Sequence, residues 1–278
     1  MKQNILGVTL LAGLALGSGG CRRAPMSPTD TYTVAVTNSY LQSALGEFDK
    51  SLEVFQMAGP GQCPGHFDLQ PGQIETIRRC RLLLRFDFQS GLDEKLGGSS
   101  KAAPLIVGIK VDSGLCVPAS YLEVCRQASE ALVSAGILEP DVSRDRMATI
   151  EQRLTATTAE IDRALSEHGL IGRPVLCSRH QQAFCDHLGL KVAGAFTSSD
   201  VTSPVEIDQA IQVALGEQVK IIIANEPEGR RLADRLATRL DAEVVVFANF
   251  PTLAGQETPF DDMLRENVRR LLLAGGQR

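Results

Sequence analysis

Apolar and polar positions follow two periods along this chain, and the period switches many times. Short apolar runs at 33–36, 52–57, 82–86 and 105–111 have the length of buried strands. Between and after them, 39–48, 71–80, 91–96 and 118–135 carry apolar residues at helical spacing. Leu41, Ala44, Leu45 and Phe48 form one such stripe. Pro118 starts the last of these helices and Gly136 follows its end. The Gly/Pro-rich stretch 59–66 interrupts the pattern and reads as a loop.

A different object follows. Residues 141–167 contain neither Gly nor Pro, and Met147, Ile150, Leu154, Ile161 and Leu165 fall among charges on the other face. This spacing predicts one amphipathic helix, about 40 Å long at 1.5 Å per residue. Gly169, Gly172 and Pro174 end it, and the alternation restarts. Strands are expected at 175–177, 190–195, 220–224 and 244–247, and helices at 180–188, 204–215, 229–240 and 260–273. Strands alternating with helices predict mostly parallel sheets. The expected fold class is α/β: two lobes of mostly parallel sheet flanked by helices, joined by one long linker helix. The boundaries read as lobes 31–138 and 171–278 with a linker 139–170. A rigid helical connector predicts little hinge bending.

The N-terminus changes the setting. Lys2 precedes an apolar stretch 5–16, then Gly17, Ser18, Gly19, Gly20 and Cys21. This reads as a signal peptide over 1–20, with an apolar stretch too short to span a bilayer. It resembles a bacterial lipoprotein signal, although Ser18 stands where a leucine is usual. Cys21 would then be lipidated, and 21–30 would tether an exported protein, periplasmic or at the cell surface, to the membrane. The chain has 278 residues, 44% hydrophobic and 22% charged, which is globular composition. A formal charge of −5 with no basic stripe argues against nucleic acid as a partner. The absence of Trp and 5% aromatic content argue against a stacking site for sugars or bases.

Chemistry-bearing residues collect where expected strands end, the place where open α/β sheets bind ligands. His66 sits in the loop after the second strand, with Asp68 two residues on. Imidazole is the commonest metal-binding side chain, and a nearby carboxylate ligates the ion or orients the ring. His180 stands at the corresponding place in the second half. Glu226 follows the run 221–225 and either binds metal or caps the next helix. Asn249 follows 244–248, as a weak ligand or a turn residue. Cys116 lies beyond the 105–111 strand, as a thiolate ligand or half of a disulfide. His168 and His187 read as surface residues. Cys63, Cys80, Cys116, Cys125, Cys177 and Cys185 invite disulfides in an exported chain, with pairing left open; Cys177 and Cys185 are the only two of the second half.

These blocks, in this order, resemble the zinc/manganese solute-binding proteins of bacterial ABC importers, the class with a rigid helical backbone. The resemblance rests on 33–45, on Pro64-Gly65-His66-Phe67-Asp68-Leu69-Gln70-Pro71, on Ser178-Arg179-His180-Gln181-Gln182-Ala183-Phe184 through Val192, on Ile222-Ile223-Ala224-Asn225-Glu226-Pro227, and on 260–273. It implies capture of a divalent transition metal, Zn²⁺ first and Mn²⁺ second, for delivery to an ABC permease by a monomeric, non-catalytic protein. His66, His180, Glu226 and Cys116 would be ligands, with Asp68 or Asn249 as second-shell or alternative ones. Two departures stand out. The segment Gly114-Leu115-Cys116-Val117-Pro118 lacks a second His that the family usually has, and Asn249 stands where an Asp is frequent. The alternatives are the same scaffold holding another small ligand or a metal chelate, and a metal-dependent hydrolase with Glu226 as general base.

Overall fold

The computed structural model describes residues 32–59, 69–96, 104–197, 203–253 and 256–276. Cys21 and the expected signal and tether lie outside these residues, as does 60–68 with Cys63, His66 and Asp68.

The first sheet contains β1 (Val34–Val36), β2 (Val54–Gln56), β3 (Leu82–Phe86) and β4 (Leu105–Ile109) in the order β2-β1-β3-β4, all parallel. The second contains β5 (Pro174–Ser178), β6 (Lys191–Phe196), β7 (Ile221–Asn225) and β8 (Glu243–Phe247) in the order β6-β5-β7-β8, again parallel. The central strands β3 and β7 are buried along their whole length, which explains their unbroken apolar runs. Both sheets reverse direction of growth after their second strand, so the switch points lie between β1 and β3 and between β5 and β7. Such switch points open a crevice at the strands' carboxyl ends.

Helices α1 (Ser39–Gly46), α2 (Pro71–Arg79), α3 (Gly91–Lys95) and α4 (Pro118–Ser134) belong to the first lobe. Helix α5 (Pro140–Glu167) is the long connector, and α6 (Gln182–His187), α7 (Pro204–Gly216), α8 (Arg231–Leu240) and α9 (Phe260–Gly275) follow. Asn38 caps α1, its side-chain oxygen accepting from Leu41 N at 3.1 Å. Prolines start α2, α4 and α5, where a missing N–H is harmless.

Three local features differ from the sequence pattern. The helix expected from 180 starts at Gln182, after a 3₁₀ turn Arg179–Gln181. The helix expected from 229 starts at Arg231, because a 3₁₀ turn Glu226–Glu228 ends at Gly229 with φ +73°. A short antiparallel hairpin, Thr252–Leu253 with Gln256–Glu257, follows β8.

The lobes share one core. A single apolar cluster runs from Val34, Leu84 and Tyr121 through Ile150 and Leu154 of α5 to Val175, Ile223 and Phe247. Phe260 of α9 stacks on Tyr121 of α4, with centroids 3.9 Å apart and planes at 4°. Arg153 of α5 binds Glu47 through two hydrogen bonds of 3.0 and 2.6 Å, and its Nε lies 2.8 Å from Asp261 of α9. Gly114 has φ +37°, and a Cβ there would lie 2.9 Å from the Ala183 Cβ of α6. Only glycine permits that approach. Among the described residues, no helix is long and apolar enough to cross a membrane.

Candidate functional site

The carboxyl ends of the first sheet's strands carry a buried polar floor. Thr37, Asn38 and Ser39 follow β1, and Gln89 lies in the turn after β3; all four are buried. Thr37 Oγ1 donates to Gln89 Oε1 at 2.8 Å across the switch point, and Phe86 N donates to the same oxygen at 2.8 Å. Asn38 Nδ2 donates to Thr37 Oγ1 at 3.0 Å. Ser39 Oγ, with its residue only 1% exposed, has no hydrogen-bond partner among the described residues.

The second sheet repeats the device. Gln181 Nε2 donates to Asn225 Oδ1 at 3.0 Å, lacing the end of β5 to the end of β7. Gln181 Oε1 and Asn249 Oδ1 are buried and unpartnered among the described residues. Asn249 is presented by Ala248, whose N donates to Asn267 Oδ1 at 2.9 Å and whose O accepts from Asn267 Nδ2 at 2.8 Å. Buried polar atoms without partners are rare, and Ser39 Oγ, Gln181 Oε1 and Asn249 Oδ1 each stand just past a strand's carboxyl end, where a ligand could meet them.

Cys116 joins the two halves. Its thiol donates to Ala248 O at 3.1 Å, from the first lobe to the second. Burial pushes this thiol up to about 12, and a hydrogen bond with Gln181 works the other way. The thiol is therefore neutral at ordinary pH. It becomes a metal ligand only by losing its proton.

His180 and Glu226 are exposed. The 3₁₀ turn after β5 is capped by Ser178, whose Oγ accepts from His180 N at 3.3 Å. This turn points Arg179 and His180 outward and Gln181 inward. The His180 side chain is 62% exposed, and its Nε2 lies 3.7 Å from Glu228 Oε1. Ser178 Oγ donates to the other oxygen of Glu228 at 2.5 Å. Glu226 is exposed at the start of its own turn. Among the described residues, no three His, Cys, Asp or Glu gather closely enough to hold a metal ion. The structure thus brings Cys116 and Asn249 to one place, with His180 and Glu226 on exposed turns; His66 and Asp68 fall outside the described residues.

Sequence reasoning missed Ser39, Gln181, Asn225 and Glu228. Asn225 carried a signal: it is the polar last residue of an otherwise apolar, fully buried strand. Gln181 carried none, because its inward aim depends on the phase of a three-residue turn.

A family model described as "ZnuA: Zinc-uptake complex component A periplasmic" matches residues 116–274. A comparison with curated proteins finds no match. Among solved structures, the Mn-bound periplasmic metal binding protein from Candidatus Liberibacter asiaticus superposes with TM-score 0.74 at 12% identity, covering 88% of this chain and 99% of that one. Its Cd-bound form gives 0.73 at 12% identity over 88% and 99%. A mutant of the laminin-binding adhesin Lmb from Streptococcus agalactiae gives 0.73 at 13% identity over 87% and 99%. These likenesses show a shared two-lobed α/β fold. With more than half of its length matched by the family model, the chain belongs to the ZnuA family, periplasmic component A of zinc-uptake complexes.

Proposed function

We propose that this protein is an exported solute-binding component of an ABC importer, which captures a divalent transition metal between its lobes and hands it to a membrane permease. Zinc is the first cargo and manganese the second. Family membership carries this reading, and the family is one of transport components rather than enzymes. The site chemistry supports it. Among the described residues, buried oxygens of Ser39, Gln181 and Asn249 without hydrogen-bond partners stand at strand ends, and the Cys116 thiol reaches across the lobes to Ala248 O.

In this reading His66 ligates from the segment after β2, with Asp68 beside it. Cys116 ligates as a thiolate, and the amide oxygens of Gln181 and Asn249 complete the set. Imidazole and thiolate suit Zn²⁺, whereas thiolate suits Mn²⁺ badly. His180 with Glu228 forms an outer pair that meets the ion at the mouth, and Glu226 stays in solvent. Lipid at Cys21 would hold the monomer at the membrane surface. Release follows when the permease draws the ligands apart.

A second reading has one observation in its favour. The buried floor among the described residues offers neutral oxygens and a thiol, but no carboxylate. Burying a bare divalent charge against neutral groups is expensive, so such a floor favours a cargo that carries its own counter-charge, such as a metal chelate. Calorimetric titration of metal-stripped protein with Zn²⁺, Mn²⁺ and a zinc–citrate complex separates the two. The first reading expects one Zn²⁺ per chain, with binding lost in His66→Ala and Cys116→Ser. Uptake of the complex alone favours the second, and heat from none of the three removes both.

A further inference from the structure

Arg85 is the one charged residue of β3, a strand buried along its whole length. By strand alternation it points to the same face as Leu83, whose apolar cluster includes Leu92 of α3. A charge in such a place is tolerated only when it is paired. The guanidinium is held on two sides. Its Nε and Nη2 donate to the two oxygens of Asp93 on α3, at 2.7 and 2.6 Å. Its Nη1 donates to Phe86 O at 3.1 Å and to Asp87 O at 3.3 Å, where the 3₁₀ turn Asp87–Gln89 begins. The neighbouring strand leaves room for it: a Cβ at Gly108 of β4 would lie 2.8 Å from Nη1 and 3.1 Å from Asp87 Oδ1.

The same turn carries Gln89, and from Gln89 a line of hydrogen bonds enters the polar floor of the first lobe. Gln89 Oε1 accepts from Thr37 Oγ1, Thr37 Oγ1 accepts from Asn38 Nδ2, and Asn38 Oδ1 accepts from Leu41 N at the start of α1, beside Ser39. We infer that Arg85 is a positioning residue for the first lobe's half of the site. Anchored by Asp93, it fixes the turn after β3, so that Gln89 holds Thr37 and the start of α1 in place. The inference rests on the reading that cargo meets this floor. Lysine is no substitute, because a single ammonium keeps the charge but lacks the planar fork that holds a carboxylate and two carbonyls at once.

Arg81 provides a matched control. It stands just before β3, at the strand's other end, and its Nη2 donates to Ala135 O and Gly136 O at 2.6 and 3.2 Å. Two measurements on the full chain test the inference: amide hydrogen exchange read by NMR, and calorimetric titration with Zn²⁺. Arg85→Lys is expected to speed exchange of the Leu41 amide about tenfold, as its cap loosens. Zn²⁺ affinity is expected to fall about tenfold or more. Gly108→Ala, which crowds the guanidinium and leaves every group of the path in place, is expected to change both in the same direction. Arg81→Met is expected to change neither. Because Arg85 acts through Gln89, the double variant Arg85→Lys with Gln89→Ala is expected to bind no more weakly than Gln89→Ala alone. Leu41 exchange unchanged in Arg85→Lys and Gly108→Ala overturns the inference. So do additive losses in the double variant, equal effects in Arg81→Met, or faster exchange with Zn²⁺ affinity unchanged. A wild-type chain that takes up no Zn²⁺ removes the import reading instead, and the exchange rates still decide what Arg85 holds.

Discussion

Cys116 meets two opposed demands. The fold holds it as a neutral thiol, buried and donating to Ala248 O, with its pKa pushed up to about 12. A metal ion takes it only as a thiolate, so binding through Cys116 releases a proton. The sign follows directly: Zn²⁺ affinity rises with pH, about tenfold per unit between pH 7 and 8.5 for one proton released. Titrations in buffers of different ionisation enthalpy count that proton, and an affinity independent of pH removes Cys116 from the ligand set. The same raised pKa affects stability without metal. Its contribution is complete below the ordinary thiol range and is lost as pH climbs from about 9 toward 12. Asn249 is the neutral neighbour. Its Oδ1, unpartnered among the described residues, is shaped like half a carboxylate, so Asn249→Asp adds a charge with little change of volume. Metal affinity is expected to rise about tenfold or more, measured by competition with a zinc-sensitive dye, while the empty protein becomes less stable.

At the scale of elements, α5 is the part most openly written in the sequence. The helix expected over 141–167 spans Pro140–Glu167, because its apolar stripe and its uninterrupted run without Gly or Pro admit no other structure. Its partners were not legible. Arg153 looks like one more surface charge, yet it clamps Glu47 of the stretch after α1 and Asp261 of α9, whose side chains are 11% and 4% exposed. Arg153→Met leaves two buried carboxylates without their counter-ion and is expected to cost about 2–3 kcal/mol in urea unfolding. A loss below about 0.5 kcal/mol would class the cluster with ordinary surface pairs. The site was legible only in part, for a similar reason. Strand ends can be read from apolar runs, so the positions of Asn249 and Cys116 beyond them are legible. The turn after β5 is set by one hydrogen bond from His180 N to Ser178, and no periodicity reports whether residue 180 or 181 faces inward.

For the whole molecule, two sheets of identical strand order share a core across α5. Each sheet puts its switch point, and the polar pair that laces it, at its carboxyl ends. The lobes meet there through Cys116 and Ala248, and through the contact of Gly114 with Ala183. A shared core leaves little freedom for hinge closure, so in the proposed function cargo would be held by adjustment of loops more than by rotation of lobes. Gly114 tests that closeness. Gly114→Ala places a methyl 2.9 Å from the Ala183 Cβ at a backbone angle alanine resists. The expected loss is about 1–3 kcal/mol of stability, together with weaker metal binding, because the lobes must part. Calorimetry and thermal melts of this variant read both effects. The most direct measurement for the whole proposal is anomalous diffraction at the zinc edge from crystals of the metal-loaded protein. One peak between the lobes, within bonding distance of Cys116 Sγ and His66, is the expected result. A peak held only by His180 and Glu228, or none in the cleft, contradicts metal capture at the junction of the two sheets.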